Sequence, residues 1–210
     1  MARPFADRAA AGRALGERLA GAGLERPLLV GLARGGVPVA VAAAAVLPGA
    51  EVDVGVARKI TAPGRPEAGL GAVAVDGEPV WFDRALRSAG LSADALAEVV
   101  AAERAEAARR EEAYGAGWRD RVPGRDVVLV DDGIATGMTV LAALAAIAAA
   151  GPTRLLLGVP VASPPALERL GGWRDALVAV LVPDDFRAVS DLYDDFGQLT
   201  DDDVGRVLGR

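Results

Sequence analysis

Two adjacent carboxylates, Asp131 and Asp132, directly follow four apolar residues, Val127 to Val130. A run of that kind buries a central strand, and the carboxyl ends of strands are where open α/β sheets bind ligands. Five residues, Gly133 to Gly137, then turn the chain into an apolar helix at 138–150. Backbone N–H groups in such a turn, with the helix N-terminus, make a cradle for one phosphate group. Thr136 and Thr139 add hydroxyl donors. The strand end therefore offers acceptors to a polyol and the turn offers donors to a phosphate. A ribose 5-phosphate carries both. Each charge-assisted hydrogen bond contributes about 1.5–3 kcal/mol. Either half alone has a plain structural reading as a turn; the combination carries the specificity.

Other phosphate chemistries fit less well. The GxxxxGK[ST] loop is absent, and no GxGxxG follows a strand. A phosphoacceptor domain places its acid pair after the first strand and a lysine late in the chain. Here the single lysine, Lys59, precedes the acids. The 210 residues include no Cys and no His. That excludes disulfides, cysteine nucleophiles, Ser-His-Asp triads and the usual zinc ligands. A net charge of -6 argues against broad contact with nucleic acid. No uncharged apolar run reaches the ~20 residues of a membrane span. Arg8, Arg13, Glu17 and Arg18 interrupt the N-terminal stretch, so it has no secretory h-region. A cytoplasmic protein with neither nucleic-acid nor membrane partners is expected.

The rest of the chain must position these groups. Apolar spacing predicts a helix over 5–22, a strand at 28–32, a helix over 37–47 and a strand at 51–57. Residues 58–71, rich in proline and glycine, read as a mobile loop. Segments 70–75 and 78–82 read as short strands joined by an Asp76-Gly77 turn. A long helix over 92–113 follows, with Ser92 as its N-cap. Strands at 127–130, 154–162 and 176–182 alternate with helices at 138–150 and 164–170. Thr200 and Asp203 form a capping box for a last short helix. Such alternation predicts a parallel sheet covered on both faces.

The stretch VVLVDDGIATGMT resembles the phosphoribosyl-diphosphate (PRPP) signature of type I phosphoribosyltransferases. Three further segments follow in that family's order. GLARGGVPVA (31–40) looks like its pyrophosphate loop. Arg58-Lys59 looks like the pair leading into its flexible loop. PDDFRAVSDLYDDF (183–196) is similar to the hood of 6-oxopurine enzymes. The resemblance implies one domain over 1–210 with a Rossmann-like parallel sheet of about five strands in order 3-2-1-4-5. Helices would cover both faces. It also implies a flexible catalytic loop at 60–69 and a small hood from the N-terminal segment and 183–200.

By the same resemblance, Asp131 and Asp132 bind the ribose hydroxyls and reach Mg²⁺ indirectly. Gly133, Ile134, Ala135, Thr136, Gly137, Met138 and Thr139 bind the 5-phosphate. Ala33, Arg34, Gly35 and Gly36 bind pyrophosphate, with a cis peptide expected at Ala33–Arg34. Arg58 and Lys59 neutralise the leaving group, and Glu67 is an acid/base candidate. Phe186 either stacks on the base or belongs to the core under the hood. Two departures leave the base open. The 6-oxopurine enzymes carry an aspartate where this chain has Ala135, and their hood lysine is missing. The implied reaction is transfer of a phosphoribosyl group from PRPP to a nitrogen heterocycle, as in nucleotide salvage. A PRPP-binding regulator without turnover and a phosphosugar hydrolase stand as alternatives. A homodimer is compatible with the sequence.

Overall fold

The computed structural model describes residues 3–210. In chain order its elements are α1 (Arg8–Ala20), β1 (Leu28–Leu32), α2 (Gly36–Ala44), β2 (Glu51–Gly55), β3 (Ala57–Ala62), β4 (Arg65–Ala74), β5 (Val80–Trp81) and α3 (Asp83–Ala89). They continue with α4 (Ala97–Tyr114), α5 (Trp118–Arg121), β6 (Asp126–Val130), α6 (Met138–Ala149), β7 (Arg154–Val161), α7 (Pro164–Arg169), β8 (Leu177–Leu181) and α8 (Asp201–Val207). No described helix is long and apolar enough to cross a membrane.

Five strands form one parallel sheet in the order β2-β1-β6-β7-β8. Every residue of β1 and β6 is buried. That explains the apolar runs Leu28–Leu32 and Val127–Val130: helices cover both faces, so no face is left for unpaired polar side chains. Asp126, at the start of β6, is buried in partnership with Arg154. On one face Leu29, Val128 and Val130 pack against Leu15 and Leu19 of α1 and Val39, Ala40 and Ala43 of α2. On the other, Leu28, Val30, Val127 and Leu129 pack against Val140, Leu144 and Ile147 of α6. The fold class is therefore the expected Rossmann-like α/β arrangement.

The strand order and the loop at 60–69 need correction. Counted along the chain, the parallel strands run 2-1-3-4-5 rather than 3-2-1-4-5. The segment read as a strand at 70–75 falls largely in β4, which pairs antiparallel with β3 and β5 in a separate three-stranded sheet. Its connection explains this. Only Pro63 and Gly64 link β3 to β4, and so short a link permits antiparallel pairing alone. Residues 60–69 are thus the outer part of a β-ribbon, turned at Gly64 with φ +71°. Helices α3 and α5 are additional to those read from the sequence. The box of Thr200 and Asp203 is present. Ser92 is a correction: it accepts from the Ala95 N–H at 3.3 Å in a short turn before α4, and the long helix itself begins at Ala97, after Leu96, with no side-chain cap.

Helix α1 lies close on α2 because Gly12 and Gly16 have no side chains. A Cβ on Gly16 would stand 2.6 Å from the Ala43 carbonyl oxygen and 2.2 Å from Val46 Cγ2. Helix propensity favours Gly16→Ala by ~1 kcal/mol. Overpacking against backbone opposes it by about 1–3 kcal/mol and should win. A Gly16→Ala protein is expected to unfold at lower urea than wild type; an unchanged or higher midpoint would refute this packing argument.

Candidate functional site

Strands β1 and β6 are direct neighbours, in register from Leu28↔Val127 to Gly31↔Val130, so their carboxyl ends open together. After β1 the chain runs through Ala33, Arg34 and Gly35 into α2. The Ala33–Arg34 peptide is cis, as expected. The Ala33 N–H donates to the Gly55 carbonyl at 2.9 Å, which ties this loop to the end of β2. Gly35 and Gly36 face the end of β6. A Cβ on Gly35 would lie 1.9 Å from Asp132 Oδ2, and one on Gly36 would lie 2.2 Å from the Val130 oxygen. Only glycine lets the loop lie against the acid pair.

Asp131 and Asp132 follow β6 directly. The Asp132 N–H donates to Asp131 Oδ1 at 2.9 Å. Arg8, the first residue of α1, donates from Nε to Asp132 Oδ2 at 2.8 Å. The Tyr193 hydroxyl donates to the Asp132 carbonyl at 2.6 Å. Burial, then the charge of Asp132, pushes the Asp131 carboxyl well above its ordinary range. Burial raises Asp132 as well, against the opposing pull of Arg8. Burial also pushes the Tyr193 phenol far up, which keeps it a hydrogen donor.

The turn after the acids is pinned from behind. The Ile134 N–H donates to the Val161 carbonyl at 2.9 Å, and the Ser163 N–H donates to the Ile134 carbonyl at 2.9 Å. The Ser163 hydroxyl donates to the Ala135 carbonyl at 2.7 Å. Gly137 caps α6 with φ +74°, a left-handed conformation that glycine adopts without penalty. Among the described residues, the amides of Gly133, Ala135, Thr136, Gly137, Met138 and Thr139 donate to no protein acceptor. Free amides grouped at a helix N-terminus are the donor set that the sequence reading expected of this turn. Ile134 is a correction: its amide is already used and its side chain is buried in the core, so it anchors the turn. Met138 contributes only its amide, since its side chain is buried.

Residues 82–187 match the family described as the phosphoribosyl transferase domain, over half of the chain and across the acid pair and cradle. The chain belongs to this phosphoribosyltransferase family. It is similar to two curated Mycobacterium tuberculosis proteins. One is "Putative phosphoribosyl transferase Rv0571c" of strain ATCC 25618 / H37Rv, 41% identical over 208 residues, covering 98% of this chain and 46% of the relative. Its counterpart in strain CDC 1551 / Oshkosh matches with the same figures. The chain thus spans about half the length of the curated relatives it matches. It is also similar to the crystal structure of TT1426 from Thermus thermophilus, at 46% identity, 97% coverage of each chain and TM-score 0.78.

The remaining residues named by the phosphoribosyltransferase resemblance are only partly brought together. Arg34 is at the loop, but its guanidinium leans toward Asp201 of α8 at 3.6 Å. Asp201 also accepts the Tyr114 hydroxyl at 2.6 Å. Arg58 and Lys59 are neighbours on a strand, so they point to opposite faces. Arg58 turns to α4 and donates to Glu103 at 2.7 Å. Lys59 is exposed and shares a face with Ala57 and, across the ribbon, Ala72. Both alanines belong to the core cluster that includes Met138. Lys59 therefore lies on the side of the ribbon that faces α6, and Arg58 on the side that faces α4. Glu67 is exposed and makes no hydrogen bond or ion pair among the described residues. Phe186 packs on the cluster of Phe5, Ala11, Val161 and Tyr193, which is the core alternative; it also lines a cavity of about 450 Å³.

Arg8, Tyr193 and Ser163 were not singled out in the sequence. Ser163 had a local signal, a serine before Pro-Pro at the start of a helix, where it also caps α7. Arg8 had none.

A carboxyl whose folded pKa is raised holds its proton more tightly folded than unfolded. Its contribution is fully present below the ordinary value of 3.8 and is lost as pH rises through the folded value. Asp131→Asn keeps the shape and removes the buried repulsion. The ligand-free variant should melt above wild type at pH 8, by roughly 2–4 °C per kcal/mol relieved. The gap should narrow towards pH 5 in scanning calorimetry. An equal or lower melting temperature at pH 8 would contradict the charge argument.

Proposed function

We propose that this chain is a Mg²⁺-dependent phosphoribosyltransferase that moves the 5-phosphoribosyl group of PRPP to a ring nitrogen of a heterocycle. The acceptor is a purine or pyrimidine base, and the setting is cytoplasmic nucleotide salvage. The observation that supports this best is the contact of the 33–36 loop with the acid pair, beside a cradle of free amides. A diphosphate, a ribose diol and a 5-phosphate each find a matching group within one crevice.

In the reaction the C1–oxygen bond to diphosphate breaks, and its electron pair leaves with pyrophosphate. The lone pair of the ring nitrogen forms the new C1–N bond, and the nitrogen's proton passes to solvent or a base. The transition state resembles an oxocarbenium ion, so positive charge must meet the leaving group. Arg34 and Lys59 are the cations of this chain for that role. The cradle amides hold the 5-phosphate, and the acids hold the diol.

The acid pair suits a hard cation. Its donors are all oxygen, and Asp131 Oδ2 has no partner among the described residues. No cluster of three or more acidic groups among the described residues forms a cage, so the rest of the shell would come from PRPP and water. Bound there, Mg²⁺ would neutralise diphosphate charge.

A second reading, PRPP binding without turnover, is favoured by one observation. Arg58 is held away by Glu103, and Glu67 meets nothing. Pyrophosphate release with a panel of bases separates the two readings.

Calorimetric titration with PRPP should give Mg²⁺-dependent, micromolar binding. The Asp131→Asn, Asp132→Asn double variant should lose ~100-fold or more, since two charge-assisted contacts vanish. No binding by wild type, or retention within a few-fold by the variant, sinks the assignment. Lys59→Ala should lower turnover more than PRPP affinity. Equal losses would instead mark Lys59 as a uniform-binding group.

A further inference from the structure

The two acids are not equivalent. They differ in their protein partners. Its Oδ2 takes Arg8 Nε at 2.8 Å, and the two side chains are only 15% and 12% exposed. The same oxygen lies against Gly35, and the Asp132 carbonyl takes the Tyr193 hydroxyl. Asp131, in contrast, has one carboxylate oxygen bonded to a neighbouring amide and the other without a protein partner among the described residues.

Arg8 is itself held from two sides. Its NH1 donates to the Gly197 carbonyl at 3.0 Å, and its guanidinium lies 3.9 Å over the Phe196 ring. Phe196 packs tilted against Tyr193 with ring centres 4.9 Å apart, and Tyr193 against Phe5 at 5.5 Å. Backbone bonds join the same segments: Phe5 N–H to Leu192 O, Asp194 N–H to Phe5 O, and Asp195 N–H to Ala6 O. The residues before α1 and those at 192–197 thus close together on one carboxylate. No motif of the sequence contains Arg8.

We propose that Arg8 is a positioning residue for the ribose subsite. It commits Asp132 Oδ2 to the protein and aims the acid pair, so that Asp131 and the remaining oxygen of Asp132 meet the diol. Two charges that face each other with little water between them hold geometry well, provided both partners remain. Removal of Arg8 frees Asp132 to swing towards Asp131 or the cradle. The ribose contact then suffers, while the diphosphate contact made by the 33–36 loop does not. This inference rests on the PRPP reading above.

The test compares two ligands on the full chain in Mg²⁺ by calorimetry: PRPP, which has a ribose, and pyrophosphate, which has none. Arg8→Gln is expected to weaken PRPP by roughly tenfold or more and to leave pyrophosphate within about twofold. Arg8→Lys should recover part of the PRPP loss. On an Asp132→Asn background, Arg8→Gln should cost little further, because the two side chains act as a unit. If Arg8→Gln does not fold, Arg8→Lys carries the same comparison of ligands. Equal weakening of both ligands would reduce Arg8 to a general structural role, and unchanged PRPP affinity would remove its role altogether. Either result overturns this inference alone. Pyrophosphate binding without any PRPP binding by wild type would overturn the functional reading and this inference with it.

Discussion

Gly35 and Asp132 meet where a methyl group has no room, with 1.9 Å between the position of a Cβ and the carboxylate oxygen. That approach decides the layout of the crevice. A loop from β1 and a loop from β6 touch through backbone and one carboxylate. The touch requires β1 and β6 to be neighbours, and parallel pairing from Leu28↔Val127 onwards supplies that. It also requires α2 to begin at once, at Gly36, against the Val130 carbonyl. Side chains of ordinary size would move the two loops apart and separate the 33–36 loop from the acid pair.

The same closeness concentrates negative charge. Two partly buried carboxylates lie side by side, and a single protein cation, Arg8, reaches one of them among the described residues. The arrangement costs the ligand-free protein stability. In the proposed reading, a diol, or a cation carried in with the substrate, offsets that cost on binding. Sites that bind strongly are often strained or repulsive when empty, and here the repulsion has two named sources.

Much of this was legible in the sequence because it is local. An apolar strand, two acids, a glycine-bounded turn and a helix follow one another within residues 127–140, and each element has its own signal. The parallel sheet was legible from alternation. What failed depends on pairing. Residues 58–71 were read as a loop because proline and glycine dominate them, yet they form a ribbon turned at Pro63–Gly64. That misreading hid a consequence of strand periodicity: Arg58 and Lys59 cannot both face the crevice. Ile134 was placed in the cradle by motif, but its amide was already taken by Val161. Arg8 lies 124 residues from its partner, and an arginine at the start of an amphipathic helix looks like any solvated charge.

The glycine contact between α1 and α2 has a mechanical meaning. Helix α1 is a strut of 13 residues that carries Arg8 at one end and is seated on α2 through Gly12 and Gly16. The backbone of Arg8 cannot approach or leave Asp132 unless that seat slides. A slide of a single helical turn, about 5.4 Å, would withdraw the guanidinium completely. The placement of a charge in the crevice is therefore gauged by the fit of small residues far from it. Drift at Val39 or Ala43 has a route to ligand affinity that no inventory of ligand-touching residues would contain.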